Sequence, residues 1–312
     1  MIAGAVAGPE RTRSAGSSAG KGGTAGSAKP GGSPSGGLSG PAPAAGVGGA
    51  VPSSTPRDYL SYSAVRTFQG CPLRYRFRYV DGLPETLTSS SLVFGTAIHA
   101  AVEDHFQRIL TGDRPATLDD LLGVYRQVWG SHTAEEIRCG SGESPQSLER
   151  QAQRMLICFL ASDAAQPEGQ IIGIEEELRD ELVPGVPDLL GRVDLLLTTE
   201  DHVIVQDFKT SRSAWSPEQA DEQAEQLLLY GELARRLIPG KDLRLRFVVL
   251  TKTQNPQVQL LETPFGEVRL ERTRQVVRHV WSAIQSGHFY PAPSPLQCPG
   301  CGYRSQCTAW RN

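Results

Sequence analysis

The strongest constraint on this chain lies in residues 188–209, where two apolar-alternating runs flank one short polar turn. Val193, Leu195 and Leu197 alternate along the first run and Val203 and Val205 along the second, with Thr198-Thr199-Glu200-Asp201 between them. Period-two patterning around a polar tetrapeptide predicts a hairpin with strands at 188–197 and 202–209. Folded about a centre between Glu200 and Asp201, the hairpin pairs residues whose numbers sum to 401, so Asp194 faces Asp207. Directly opposed Cβ atoms stand roughly 5 Å apart, and like charges there destabilise a sheet. Either a bulge breaks that register, or a cation between the acids reverses the sign.

Side chains two apart share a face, so Lys209 points with Asp207 while Phe208 points into the opposite layer. Two carboxylates, a divalent cation such as Mg²⁺ and an ammonium on one surface suit attack of water on a phosphodiester. By itself an Asp-x-Lys reads as a solvated salt bridge; the apolar setting of these strands favours the chemical reading. Composition adds to it. The chain carries 31 Lys plus Arg, yet lysine stands only at Lys21, Lys29, Lys209, Lys241 and Lys252. An ammonium can shed its proton when partly buried, whereas a guanidinium cannot.

At 312 residues and 39% hydrophobic content, the chain can bury one substantial core with a helical insertion. Residues 1–56 are rich in Gly, Ala, Ser and Pro and are expected to be a disordered tail, because no burial offsets the entropy of ordering them. The apolar run at 1–7 lacks the length and basic start of a secretion signal, and no stretch reaches the ~18 apolar residues of a membrane span. The expectation is a cytoplasmic domain at 57–312 that does not enter a membrane.

Net charge is −3, which counts against a protein that coats nucleic acid by charge alone but leaves room for a local basic site. Arg74, Arg76 and Arg78 interleave with Tyr75, Phe77 and Tyr79, a combination able to hold phosphates and stack bases. Leu73, Phe77 and Val80 equally fit a helix that docks its aromatics and leaves the arginines in water, with Pro72 in its first turn. Both readings stay open.

Helices are expected at 61–70, 94–110, 119–132, 145–165, 217–237 and 267–286, and strands at 171–181, 188–197, 203–209, 243–251 and 258–263, the last an edge strand. This order predicts an α/β fold with a mixed sheet covered on both sides. It divides into a helical part at about 61–166, a core at about 170–286 and a cysteine-rich tail at 291–312. The hairpin's acid face is expected to lie open at one edge of the sheet.

Cys298-x2-Cys301-x5-Cys307 sits among Pro and Gly that turn the backbone tightly. Three close thiolates need a fourth ligand, and Cys71 in the loop-like Gly70-Cys71-Pro72 is the choice over Cys139 and Cys158. A group so held would clamp the two ends of the domain. Close C-x2-C spacing in an intracellular chain favours metal over disulfides. Spacing alone does not separate zinc from an iron–sulfur cluster.

Taken together, Gly95-x3-His99, Gly191-x2-Asp194, Asp207-Phe208-Lys209, Gln226-x3-Tyr230 and the four cysteines resemble the RecB-type branch of the PD-(D/E)XK nucleases. Within it they resemble AddB-type nuclease domains and CRISPR-associated RecB-like exonucleases, over about residues 60–310. The resemblance implies a restriction-endonuclease-like fold with an iron–sulfur-stapled C-terminal tail. It implies that His99, Asp194, Asp207 and the Phe208 carbonyl bind Mg²⁺ or Mn²⁺, and that Lys209 orients or deprotonates the attacking water. Gln226 and Tyr230 would line the site and contact DNA, and Glu175 is a further acid, left open among Glu175-Glu176-Glu177.

Cys71, Cys298, Cys301 and Cys307 would hold a 4Fe–4S cluster, with structural zinc as the alternative. The expected function is a DNA exonuclease of repair, recombination or phage defence. The chain has no Gly-x4-Gly-Lys-Ser/Thr loop, so unwinding would fall to a helicase partner. The competing expectations are a catalytically inactive DNA-binding or scaffolding subunit, and a zinc-stabilised module that binds other proteins.

Overall fold

A computed structural model describes residues 58–85, 88–133 and 136–310; the tail expected at 1–56 lies outside them. The elements run β1 (Tyr59–Ser61), α1 (Tyr62–Gly70), α2 (Pro72–Tyr75), a π-helical turn (Arg76–Val80), β2 (Thr88–Ser89), α3 (Ser90–Thr111), α4 (Leu118–Gly130), β3 (Ile137–Arg138) and α5 (Pro145–Leu160). There follow β4 (Gln170–Asp180), β5 (Asp188–Thr198), β6 (His202–Ser211), α6 (Pro217–Glu222), α7 (Glu225–Leu237), β7 (Asp242–Thr251), β8 (Val258–Thr263), α8 (Glu267–Gln285) and α9 (Arg304–Ala309).

The main sheet has the order β1-β5-β6-β7-β8, with β4 along the other edge of β5. Pairing is antiparallel for β4–β5, β5–β6 and β7–β8, and parallel for β6–β7 and β1–β5. This is the mixed sheet that the alternation of strands and helices predicts. One face, carrying Val203, Val205 and Phe247, packs on α1, α7 and α8 through Val65, Leu228 and Val277. The other, carrying Ile204, Phe208 and Val248, packs on α3, α4 and α5 through Phe106, Leu121 and Phe159. Two apolar layers on one sheet explain why β6 and β7 read as near-continuous hydrophobic runs.

Two expectations need correction. The stretch 217–237 is two helices, because the Gln223 and Ala224 N–H groups tighten onto the Ala220 and Asp221 carbonyls three residues back, and Arg269 Nη2 also donates to the Asp221 carbonyl. Likewise, β5 and β6 are interior strands, so the acid face opens in the middle of the sheet and not at its edge. No helix among the described residues is long and apolar enough to cross a membrane.

Candidate active site

The hairpin register is the expected one: Leu195 pairs with Gln206, Leu196 with Val205 and Leu197 with Ile204. The ladder then stops one pair short of Asp194 and Asp207. Toward its start β5 gives the same edge to β1, at Asp188–Leu190. The strands therefore fork at Asp194, and its Oδ2 accepts the Phe208 N–H at 2.7 Å.

A kink in β4 and β5 creates the fork's pocket. Across it Ile174 and Leu178 face opposite layers, as do Val193 and Leu195, although each pair is an even number apart. The parity breaks at Glu175 and Asp194, which are skipped while the register holds from Gly173 to Asp180; a separate one-residue shift lies between Ile171 and Gly173. Glu175 has φ +50°, the left-handed region that a non-glycine residue seldom adopts. The turn carries the Glu175 carboxylate to the Asp194 side, where Arg192 pairs with it at 2.7 Å.

From the other layer, α3 delivers His99, whose Nδ1 stands 3.4 Å from Asp194 Oδ2. One ligand atom from each of His99, Glu175 and Asp194 lies within 4.8 Å of the others, close enough to share one cation. Asp207 is only 3% exposed, and its Oδ2 takes no hydrogen bond, lying 2.5 Å from Lys209 Nζ instead. Lys209 donates to Gln226 Oε1 at 3.2 Å. One turn along α7, the Tyr230 ring packs on Gly191, where a Cβ would fall 2.7 Å from Tyr230 Cδ1. Glycine at 191 is thus a condition for α7 to reach the site.

The electrostatics show unresolved conflict. Burial, then the charge of Asp207, raises the Asp194 carboxyl well above its usual value. Burial also raises Glu175 and Tyr230 and lowers His99. For Lys209 burial acts downward, but Asp207 and Asp194 outweigh it and the net shift is upward. Each buried ion costs several kcal/mol that only partners recover. Three carboxylates share Lys209 and Arg192, so a divalent cation would complete the balance. A buried carboxylate oxygen faced by the Lys209 ammonium alone, near an imidazole and two further acids, fits such an ion.

Sequence reasoning placed His99, Asp194, Asp207 and the Phe208 carbonyl as ligands. The structure brings all four residues together, the His99 and Phe208 ring centroids lying 6.4 Å apart, edge to face, and gives Glu175 the place beside His99 and Asp194 while Asp207 faces Lys209. Arg192 was missed, although it sits inside the quoted Gly191–Asp194 motif. The arginines of the π-helical segment are tied to acids: Arg74 and Arg78 to Glu85, Arg76 to Asp81. Phe77 and Tyr75 are buried, as the docked-helix alternative expects.

Cys71, Cys298, Cys301 and Cys307 line one cavity of about 280 Å³ with Leu73, Phe77 and Tyr303. Burial and then the other three thiols raise the Cys307 thiol. Cys139 is exposed, and the Cys158 thiol donates to the Pro256 carbonyl.

A forked mixed sheet with buried acids, an imidazole and a lysine at the fork makes this an α/β protein with a candidate divalent-cation site. Residues 59–308 match the PD-(D/E)XK nuclease superfamily, and the chain belongs to that superfamily, whose members are generally metal-dependent nucleases. No curated protein matches it. In fold it is similar to a "Putative exonuclease" from Eubacterium rectale, at 14% identity over 82% of this chain and 89% of that one, with TM-score 0.53. SSO0001 aligns at 15% identity over 79% of this chain and 95% of that one, with TM-score 0.30.

Proposed function

We propose that the chain is a Mg²⁺- or Mn²⁺-dependent deoxyribonuclease acting on ends or single strands of DNA, in repair, recombination or phage defence. The observation that carries this reading is the meeting of Glu175, Asp194, Asp207, His99 and Lys209 in one pocket. A bound cation supplies neutralisation of charge on the phosphoryl oxygens. Asp194, Glu175 and His99 would hold it, with Asp207 and the Phe208 carbonyl as further donors. Lys209, aimed by Gln226 and kept as an ammonium by Asp207 and Asp194, would orient the attacking water. Tyr230 and Gln226 line the wall along which the strand lies.

On the same reading Cys71, Cys298, Cys301 and Cys307 hold a 4Fe–4S cluster that staples the chain's end to α2. The cavity of about 280 Å³ that all four cysteines line supports a group bound between them, with structural zinc as the alternative. Unwinding would come from a helicase partner.

The deciding experiment is digestion of end-labelled single- and double-stranded DNA by the pure protein with Mg²⁺, Mn²⁺ or EDTA. Metal-dependent shortening from an end supports the reading. Intact strands under every metal would leave only a DNA-binding or scaffolding role, against which the full set of charged groups stands. Iron and sulfide analysis of anaerobically purified protein tests the cluster; stoichiometric zinc without sulfide would exclude it.

A further inference from the structure

Lys252 lies just past the carboxyl end of β7, and Arg212 just past that of β6. Because β6 and β7 run parallel, with Ser211 paired to Thr251, both cations emerge side by side from one end of the sheet. The Lys252 N–H donates to the Ser211 carbonyl and its carbonyl accepts from Gln151, so the backbone beneath the pair is held firmly. Ligands of open α/β sheets bind beyond the carboxyl ends of the strands.

Most basic side chains of this domain are spent on acids or carbonyls. Lys209 pairs with Asp207, and Lys241 donates to Thr198 and Thr199. Lys252 Nζ and the Arg212 guanidinium have no hydrogen-bond or ion-pair partner among the described residues, although Lys252 is half-buried. Its Nζ lies 4.5 Å above the centre of the Phe94 ring. Both cations line a cavity of about 310 Å³ with Ser91, Phe94, Glu143 and Gln151.

The acid of this cavity is already engaged: Glu143 Oε2 accepts from Ser90 Oγ at 2.6 Å and the Gly140 N–H at 2.8 Å. The cavity keeps a net positive charge of one. Ser91 adds a hydroxyl in the first turn of α3, the end of a helix that favours anions. Burial holds the Lys252 ammonium below its usual value, with Glu143 acting against that.

Position relates the cavity to the acid pocket. Ser91, Gly95 and His99 stand one turn apart on the same face of α3, and a Cβ at Gly95 would lie 3.6 Å from Thr210 Oγ1. Eight residues of α3 separate Ser91 from His99, about 12 Å at 1.5 Å per residue. At an axial rise of about 3.4 Å per nucleotide that is at most three to four nucleotides of a B-form strand, and fewer once the winding of the phosphates about the axis is counted.

We propose that Lys252 and Arg212 form a phosphate subsite that grips the backbone of the bound strand a few nucleotides from the scissile bond. The proposal rests on the nuclease reading and extends it: it sets the length of strand the enzyme must hold. An unpaired lysine fork with an arginine, rimmed by hydroxyl and amide, suits a phosphodiester and reads no base.

The test compares wild type with Lys252→Gln, Lys252→Arg and Arg212→Gln, using a labelled oligonucleotide bound in EDTA across a salt series. Arg272→Gln, an exposed charge change on α8, is the control. The two Gln variants are expected to weaken binding about fivefold each and to shrink the slope of log K against log salt by about one. Lys252→Arg retains binding, and with metal present the loss falls on KM and not on kcat.

Among single methylphosphonates placed in turn two, three and four nucleotides from the cleaved bond, one should cost wild type the same factor and the Gln variants nothing more. Equal affinities and slopes for wild type and both Gln variants, or fully additive penalties with the methylphosphonate, would overturn the subsite. A wild-type protein that binds strands with the expected slopes but never cleaves them sinks the nuclease reading and leaves the subsite standing.

Discussion

The acid pocket and the cysteine cavity place reactive groups in different mechanical settings. Asp207 and Lys209 sit on β6 with packed apolar layers above and below, held by the body of the fold. The four cysteines join α2 to the α9 segment around a cluster of only three fully buried side chains, Leu73, Phe77 and Tyr303. The first region tolerates charges that destabilise it because the surrounding core supplies the stability. The second has little core, so on the cluster reading the bound group would supply the stability. A site for chemistry is strained by its own charges; a staple lends strength to a weakly packed end.

The sharpest break of this contrast is Asp207→Asn. Cleavage is expected to fall at least about a thousandfold, while the Tm moves by less than about 3 °C, since one of several crowded carboxylates is discharged. Rates and melting curves on one preparation check it; equal activity would remove Asp207 from the site. Cys307→Ser should do the reverse. Losing a ligand of the staple costs about 3 kcal/mol, or roughly 6–12 °C in Tm, and visible absorbance disappears, while the folded fraction still cleaves DNA.

Gly191→Ala links stability to activity within the acid pocket. The added methyl strikes the Tyr230 ring, so a loss of about 1–3 kcal/mol and a roughly tenfold fall in cleavage should appear together in urea titrations and rate assays. Stability lost with full activity would show that Tyr230 only packs.

The smallest effect concerns His105, buried in the α3–α5 layer with Nε2 2.8 Å from the Ala165 carbonyl. Burial lowers its pKa below the ordinary 6.5, so the folded protein binds fewer protons than the unfolded chain in that range. Its contribution is complete above about pH 6.5 and is lost as pH falls toward the folded value. Urea midpoints between pH 7 and 5 should drop less steeply for His105→Gln than for wild type. Identical slopes would mean that the imidazole titrates freely.

Much of the fold was legible because its signals are local. The strand expected at 258–263 is β8 residue for residue, and the helix at 61–70 begins at the Ser61 cap, whose Oγ accepts from the Ala64 N–H. Other features were not legible, each for a stated reason. The break between α6 and α7 is a tightened turn at Gln223-Ala224 that no glycine or proline marks in the sequence. Glu175, Glu176 and Glu177 are equivalent to a period-two pattern, and only the positive φ at Glu175 separates them. Arg192 looked like an outward strand residue until that turn brought it a carboxylate. The free cations of the Lys252 cavity carried no sequence signal beyond the scarcity of lysine.

The order of residues alone set the hairpin register, the shared face of Asp207 and Lys209, and the grouping of thiols at the chain's end, since each follows from the two-residue repeat or from close spacing. Tertiary structure decided that the sheet forks at Asp194, which glutamate enters the pocket, and that His99 arrives there from α3. Those outcomes depend on how layers pack across long sequence separations, and no local periodicity carries that information.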